Sequence, residues 1–163
     1  MLDTGWRSGL ALLSLAFIVA CAGNRPPPRP RPYIPYISNA ATNVTVRTEV
    51  ERGVRATLYV YSVDAACNTE YQGTVSLDQR LVELSILEGT FTYLDVSFDT
   101  SSFMAGSRIS SVGSLLKPRA GGNYELTVSY QDDIYNFVLR ETGSRGGAGH
   151  ELPRRGLATC GAE

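Results

Sequence analysis

Few side chains in this sequence could carry out catalysis. The only histidine is His150, beside a glycine-rich stretch, whereas a catalytic triad needs a nucleophile, a base and an orienting acid within hydrogen-bond reach. Asp95 and Asp99 flank a predicted strand end, but nothing in their spacing predicts the paired, pKa-shifted carboxyls of a hydrolase. Asp132-Asp133 lies between two alternating segments, where aspartate favours a turn rather than calcium binding. We therefore predict that the protein is not an enzyme and has no cofactor.

The longest apolar run, Leu10–Ala20, ends directly before a cysteine, Cys21. Only Ser14 interrupts the run, and a short polar start containing Arg7 precedes it. A helix needs roughly 20 apolar residues to cross a bilayer, and this run has about half that length. Its length and position are typical of the apolar part of a cleaved export signal.

Ile18-Val19-Ala20-Cys21 resembles the lipobox of bacterial lipoproteins, which has an aliphatic residue three positions before the cysteine and a small residue directly before it. The resemblance implies that residues 1–20 are removed and that Cys21 becomes an acylated first residue carrying palmitate. Two or more acyl chains anchor stably where one is marginal. Ala22 is not the aspartate that retains such proteins at the inner membrane. An outer-membrane anchor with the domain facing the periplasm is therefore implied, and exposure at the cell surface stays open. The alternative is an ordinary secretory signal with a chance cysteine.

With Cys21 assigned to lipid, Cys67 and Cys160 remain. An even number of cysteines in an exported chain indicates a disulfide. Two cysteines and one histidine do not complete a metal coordination shell, so no metal site is predicted. The predicted Cys67–Cys160 bond would fasten the C-terminal tail, residues 142–163, which is glycine-rich and has no core pattern.

Residues 21–42 form a linker rich in proline and arginine, with most of the chain's eight prolines. Such a composition favours the extended polyproline II helix and therefore a spacer. The repeated Pro-Tyr-Ile at 32–34 and 35–37 places Tyr33 and Tyr36 on one edge, which could dock on the domain or on a partner. Residues 44–163 carry more acids than bases, and Lys117 is the only lysine. This balance argues against nucleic acid as a partner.

From Asn43 onward, apolar and polar residues alternate with the period of half-buried strands. Residues 101–114 are rich in serine and glycine and are predicted as a loop with at most a short strand. Seven or eight short antiparallel strands with frequent turns predict the all-β class and one β-sandwich over residues 43–141. The predicted strands are 44–50, 54–63, 71–77, 81–87, 91–98, 124–130 and 134–141.

Leu116-Lys117-Pro118, a turn, and then Tyr124-Glu-Leu-Thr-Val128 resemble the fibronectin type III pattern of Leu-x-Pro, turn, Tyr-x-Val. The resemblance implies an immunoglobulin-like sandwich and a tyrosine corner in which Tyr124 bonds to backbone upstream. Leu116 and Tyr124 are two residues further apart than is usual in that family.

Alternation also places aromatic side chains on the outside of two strands. If the even-numbered residues of 54–60 face the core, Tyr59 and Tyr61 face outward, because side chains alternate between faces. The same argument for 91–98 turns Phe91 and Tyr93 outward. The four form one candidate partner surface only if both strands belong to one sheet. Aromatic rings stack on sugars and anchor protein interfaces. The alternative is that residues 33–37 or the tail cover them.

Three functions of a tethered, non-enzymatic sandwich follow. The first is binding or structural support in an envelope complex, with an envelope protein as partner. The second is a carbohydrate-binding module for peptidoglycan or another cell-wall polysaccharide. The third is an inhibitor or immunity lipoprotein against a toxin delivered to the periplasm. In each case the membrane is reached through the acylated Cys21.

Overall fold

The alternation in the sequence becomes alternating burial in the structure. The computed structural model describes residues 36–38, 40–102, 106–143 and 149–161. Along the seventh strand, buried Tyr124, Leu126 and Val128 alternate with half-buried neighbours. The strands are β1 (Val44–Val50), β2 (Val54–Val63), β3 (Thr69–Ser76), β4 (Leu81–Leu84), β5 (Phe91–Ser102), β6 (Gly106–Leu116), β7 (Asn123–Gln131), β8 (Ile134–Thr142) and β9 (His150–Glu151).

The predicted signal peptide, Cys21 and residues 22–35 of the proposed linker lie outside the described residues. In the part of the chain that is described, helical geometry is confined to a 3₁₀ turn, Leu157–Thr159. No helix in those ranges has the length and apolar composition that crossing a bilayer requires.

The strands form two sheets that enclose the core between them. Sheet I has the order β4-β1-β7-β8-β9, and sheet II has the order β3-β2-β5-β6. The predicted all-β sandwich is thus confirmed. One pair departs from the antiparallel arrangement, since β1 runs parallel to β7 from Val44, beside Tyr124, to Val50, beside Tyr130. Only strands joined by a short hairpin are obliged to run antiparallel, and β1 and β7 are far apart in the chain.

The core is apolar and drawn from both sheets. Leu58, Leu94 and Val96 of sheet II, and Val46 and Leu126 of sheet I, are fully buried. Because these positions alternate with outward-facing ones, the burial of one face of each sheet determines which side chains are left on the other.

The prediction of a loop over residues 101–114 is wrong. Strand β6 pairs antiparallel with β5 from Leu116, opposite Thr92, to Gly106, opposite Ser102. Serine and glycine have low strand propensity, and the small side chains of β6 leave little hydrophobic alternation to detect. Backbone pairing to the long strand β5 and the burial of Val112, Ser114 and Leu116 hold β6 in place.

Strand β4 ends at Leu84, earlier than the predicted end at residue 87, because a side chain replaces strand pairing there. The amide of Asn43 donates to the carbonyl of Ile86 at 2.8 Å, and the backbone N–H of Ile86 donates back to Asn43 Oδ1 at 2.8 Å. Both residues are buried. This reciprocal pair satisfies backbone groups that would otherwise lose water without a partner.

The tyrosine corner expected from the fibronectin-like pattern is present. Tyr124 is 3% exposed, and its hydroxyl accepts a hydrogen bond from the backbone N–H of Arg119 at 2.9 Å. The added residues between Leu116 and Tyr124 are accommodated by a turn that includes Gly121, whose φ is +67°. Few residues other than glycine adopt that conformation without strain.

Candidate functional site

Strands β2 and β5 are neighbours in sheet II, which is the condition that the predicted aromatic surface required. Tyr61 lies directly opposite Tyr93, and Tyr59 lies opposite Asp95. All three tyrosines are half-buried and lie on the face turned away from the core. We call this solvent-facing group of Tyr59, Tyr61, Tyr71 and Tyr93 the tyrosine face.

Tyr71 is a member that the sequence argument missed. Its ring centroid lies 5.7 Å from that of Tyr61, and the Tyr61 centroid is 6.4 Å from that of Tyr93, so three rings form a continuous row. Strict alternation from Val75, which lies opposite core residue Leu58, would turn Tyr71 toward the core. A β-bulge between Val60 and Tyr61 in the β2–β3 pairing shifts the register and turns Tyr71 outward.

Phe91 lies on the same side of β5, but cations cover it. The Lys117 ammonium is 4.8 Å from the centre of its ring, and the Arg155 guanidinium is 5.9 Å from it. Both distances are within the range of attraction between a cation and an aromatic ring. Phe91 is therefore the covered end of the predicted surface, whereas Tyr59, Tyr61 and Tyr93 remain half-exposed.

The C-terminal tail reaches this end of sheet II and is fastened there. The Arg155 backbone N–H donates to Ser114 Oγ at 3.0 Å, and the Leu115 N–H donates to the Arg155 carbonyl at 2.8 Å. The predicted disulfide between Cys67 and Cys160 is present, with Cα atoms 5.7 Å apart. The tail thus covers the Phe91 end of the aromatic surface, as the alternative interpretation expected.

The end of the proposed linker docks elsewhere. The Tyr36 hydroxyl donates to the Ser85 carbonyl at 2.6 Å, and its backbone N–H donates to the Thr74 carbonyl on β3 at 3.0 Å. Tyr36 also packs against the core, and this burial raises the pKa of its hydroxyl. Packing therefore begins before Asn43, at the side of the sandwich where β3 and β4 lie.

An acid lies within the tyrosine face. Asp95 is half-buried, and this burial raises the pKa of its carboxyl. Burial is also the main reason that the pKa of the Tyr93 hydroxyl is raised; the charge of Asp95 adds to this effect, and that of Arg154 opposes it. A low-dielectric setting disfavours a charged carboxylate unless a cation or hydrogen-bond donors compensate.

The other side chains considered for chemistry are not assembled into a site. Asp132 and Asp133 have φ values of +51° and +62° and form the β7–β8 turn, as predicted. Asp133 accepts a hydrogen bond from the Tyr130 hydroxyl at 3.0 Å. His150 is exposed on β9. Within the described ranges, no group of three or more histidine, cysteine or acidic residues could hold a metal ion.

A concavity of about 820 Å³ lies beside the end of β1. The Thr48 hydroxyl at its edge is buried and has no hydrogen-bond partner among the described residues, but Thr48 belongs to the core-facing side of β1. Arg47, also in the lining, is held by Glu125 at 2.7 Å. Both signs of charge line the cleft, so it favours no ligand class. The charged lining residues are Arg47, Glu49, Glu51, Asp78 and Arg80.

No protein-family model matches this sequence, and no curated protein matches it either. Among solved structures, the chain is similar to sea bream transthyretin, in a crystal structure of its complex with thyroxine. The sequences are 12% identical and the TM-score is 0.45, over 63% of this chain and 98% of that one. A likeness at this level carries no inference about what the present chain binds.

Proposed function

We propose that this protein is a non-enzymatic lipoprotein of the bacterial outer membrane, whose sandwich binds another envelope component through the tyrosine face. Cys21, preceded by Ile18 and Ala20, would carry the lipid anchor. The sandwich would face the periplasm and act as a binding or structural accessory in an envelope complex.

The disulfide between Cys67 and Cys160 supports export, because disulfides form and persist in oxidising compartments such as the periplasm. The docking of Tyr36 supports a short spacer between lipid and sandwich. Residues 22–35, if extended as polyproline II, would span roughly 40 Å at about 3.1 Å per residue.

The observation that carries the binding role is the tyrosine face itself. Four half-buried rings on the solvent-facing side of one sheet are more than scattered surface residues require. Tyrosine is enriched at protein interfaces because its ring offers apolar area and its hydroxyl stays able to hydrogen-bond. We therefore favour a protein partner within the envelope.

A carbohydrate-binding role is the second candidate, and the row of Tyr71, Tyr61 and Tyr93 favours it. Aromatic faces stack on sugar rings, and a row of rings suits a polysaccharide chain. Sedimentation of the protein with purified cell wall, retained in high salt, would support this role over a protein partner.

The anchor is tested by Cys21→Ala with cell fractionation. We expect the variant to remain unprocessed or to leave the outer membrane, because it has no thiol to acylate. Recovery of the variant with the outer membrane after a high-salt wash would show that lipid is not what holds the protein there.

The partner surface is tested by photo-crosslinking in living cells, with the crosslinking residue at Ser97, on the outer side of β5. A matched crosslinker at Thr127, on the outer side of sheet I, is the control. We expect a defined adduct from Ser97 only, reduced at least tenfold, about 1.4 kcal/mol, by Tyr59→Ala with Tyr61→Ala. An unchanged adduct in a folded double variant would place the partner surface elsewhere.

A further inference from the structure

Asp95 occupies the middle of the tyrosine face, where sheet II brings three strands together. On one side its cross-strand neighbour is Tyr59 of β2, and on the other it is Gly113 of β6. Gly113 contributes no side chain, so the ring of Tyr93 leans into that space. A Cβ atom at Gly113 would lie 2.7 Å from both the Cζ and the hydroxyl oxygen of Tyr93. One tyrosine therefore stands on each side of the Asp95 carboxylate.

Among the described residues, no cation forms a salt bridge with the carboxylate of Asp95. Burial raises the pKa of its carboxyl. Arg154 lowers the pKa of the nearby Tyr93 hydroxyl, but no salt bridge joins Arg154 to Asp95 among the described residues. The next outward-facing acid along β5, Asp99, differs: it lies 4.0 Å from the guanidinium of Arg55. Asp95 is thus the acid on this strand that combines partial burial with the lack of a salt-bridge partner among the described residues.

The same face already binds cations at its other end. Lys117 and Arg155 of this chain lie over the ring of Phe91 at 4.8 and 5.9 Å from its centre. At Asp95 the rings are present together with a negative charge, but the chain supplies no cation there among the described residues. Charge complementarity therefore indicates that a ligand at Asp95 should carry a positive charge.

We propose that Asp95, Tyr59 and Tyr93 form a receptor for an arginine side chain of the partner protein. This inference rests on the proposed binding role of the tyrosine face and names the chemistry of the partner. A guanidinium is planar, stacks on aromatic rings and donates a fork of N–H groups that matches a carboxylate. It is also weakly hydrated, so it enters a partly buried site at a lower desolvation cost than an ammonium.

A neutral sugar would satisfy only part of this site. It could stack on the rings of Tyr59 and Tyr93 and donate hydroxyl hydrogen bonds to Asp95, but it would bring no positive charge to neutralise the carboxylate. The requirement for a positive charge therefore separates the arginine receptor from a polysaccharide platform.

The direct test is a titration of the full chain, in a nonionic detergent, with Nα-acetylarginine amide, followed by NMR of ¹³C-labelled tyrosine rings. Nα-acetylcitrulline amide, which has the same shape without the charge, is the matched probe. We expect saturable shifts at Tyr59 and Tyr93, with at least fivefold weaker binding of the citrulline probe. Equal affinities for the two probes, or shifts confined to rings other than these, would overturn the proposal.

Two aspartate variants complete the test. Asp95→Asn is expected to weaken binding of the arginine probe at least fivefold, while Asp99→Asn, on the same strand and face, changes it less than twofold. Equal losses in both variants would mean that general surface charge attracts the probe, which overturns a specific receptor. Binding of an N-acetylglucosamine oligomer that resists Asp95→Asn and displaces the arginine probe would also overturn it in favour of a sugar platform.

The Ser97 crosslink separates this proposal from the function on which it rests. Loss of the adduct in Asp95→Asn but not in Asp99→Asn supports the arginine receptor in the cell. An adduct that survives Asp95→Asn but is lost in the Tyr59→Ala, Tyr61→Ala variant leaves the partner surface standing and overturns the arginine receptor. If the arginine probe binds as expected and no adduct forms, the receptor stands and the proposed envelope partner fails.

Discussion

At the residue scale, two polar side chains of the sandwich have opposite energetic roles. Tyr124 is buried with its hydroxyl bonded to the Arg119 N–H, so it stabilises a turn. Asp95 is half-buried, and burial raises the pKa of its carboxyl, so its charge opposes folding. A protein that retains such a destabilising group commonly uses it in binding, because sites are often optimised at the expense of stability.

Replacing Asp95 with asparagine should therefore raise the melting temperature at pH 7. The raised pKa means that the folded state holds the carboxyl proton more tightly than the unfolded state does. Ionisation at neutral pH consequently disfavours folding, and this effect vanishes below the unfolded aspartate pKa of about 3.9. The difference in melting temperature should shrink as the pH falls toward 4. A lower melting temperature of Asp95→Asn at pH 7 would contradict this, and Asp99→Asn is the control.

Removing the Tyr124 hydroxyl should destabilise the fold. In Tyr124→Phe the ring remains in the core, but the Arg119 N–H loses its acceptor. The expected loss is about 1–3 kcal/mol of unfolding free energy, measured by urea denaturation. Tyr135→Phe, at a side chain that is 43% exposed, is the matched control and should change little. Equal stability of the two variants would show that the corner bond contributes nothing.

At the element scale, β6 affects the tyrosine face because it has a glycine, Gly113, beside the Tyr93 ring. Gly113 lets the Tyr93 ring lie across β6, and its ideal Cβ position is only 2.7 Å from the Leu94 carbonyl oxygen. Strand β6 thus sets the position of the Tyr93 ring beside Asp95, although β6 contributes no functional side chain itself. On the β3 side of the tyrosine face, the bulge in the β2–β3 pairing also positions a ring, because it turns Tyr71 outward.

Gly113→Ala should displace Tyr93 and strain β6. A contact of 2.7 Å with backbone cannot be relieved by a side-chain rotation alone, and overpacking of this kind costs about 1–3 kcal/mol. Urea denaturation gives the stability, and the Tyr93 ring resonances report the displacement. Ser111→Ala, at an exposed position of the same strand, should be neutral. An unchanged Tyr93 resonance in Gly113→Ala would refute the packing described for this ring.

At the scale of the whole molecule, the Cys67–Cys160 disulfide ties the last residues of the chain to the β2–β3 connection. On the way, the tail pairs with β8 through β9 and contacts β6 through Arg155. The tail therefore supplies β9, an edge strand of sheet I, and is hydrogen-bonded to β6, an edge strand of sheet II. Its ends are held by strand pairing and by a covalent bond.

Replacing both cysteines with serine should lower the free energy of unfolding substantially. The bond joins residues 93 apart, and the chain-entropy argument gives about 4–5 kcal/mol for a loop of that length. We expect a lower urea midpoint and earlier proteolysis of the tail, while sheet II stays paired. Two reactive thiols in the unreduced mature protein would show that the bond does not form.

The local sequence pattern was sufficient to predict those features that depend on residues close together in the chain. Alternation predicted β1 and β2 to the residue, and it turned Tyr59, Tyr61 and Tyr93 outward, because neighbouring side chains on a strand must point to opposite faces. The Leu-x-Pro and tyrosine pattern predicted the corner at Tyr124, whose hydrogen bond spans only five residues. Cysteine count predicted the disulfide.

Only the tertiary structure determined those features that depend on contacts between residues far apart in the chain. Strand β6 exists because β5 pairs with it, and Tyr71 faces outward because a bulge shifts the register against β2. From the sequence alone, Asp95 can be identified only as an acid near a predicted strand end. Sheet pairing places it between Tyr59 and Gly113, and its partial burial follows from that placement. Strand pairing and burial bring together residues that are far apart in the chain, so the periodicity of a short segment cannot predict them.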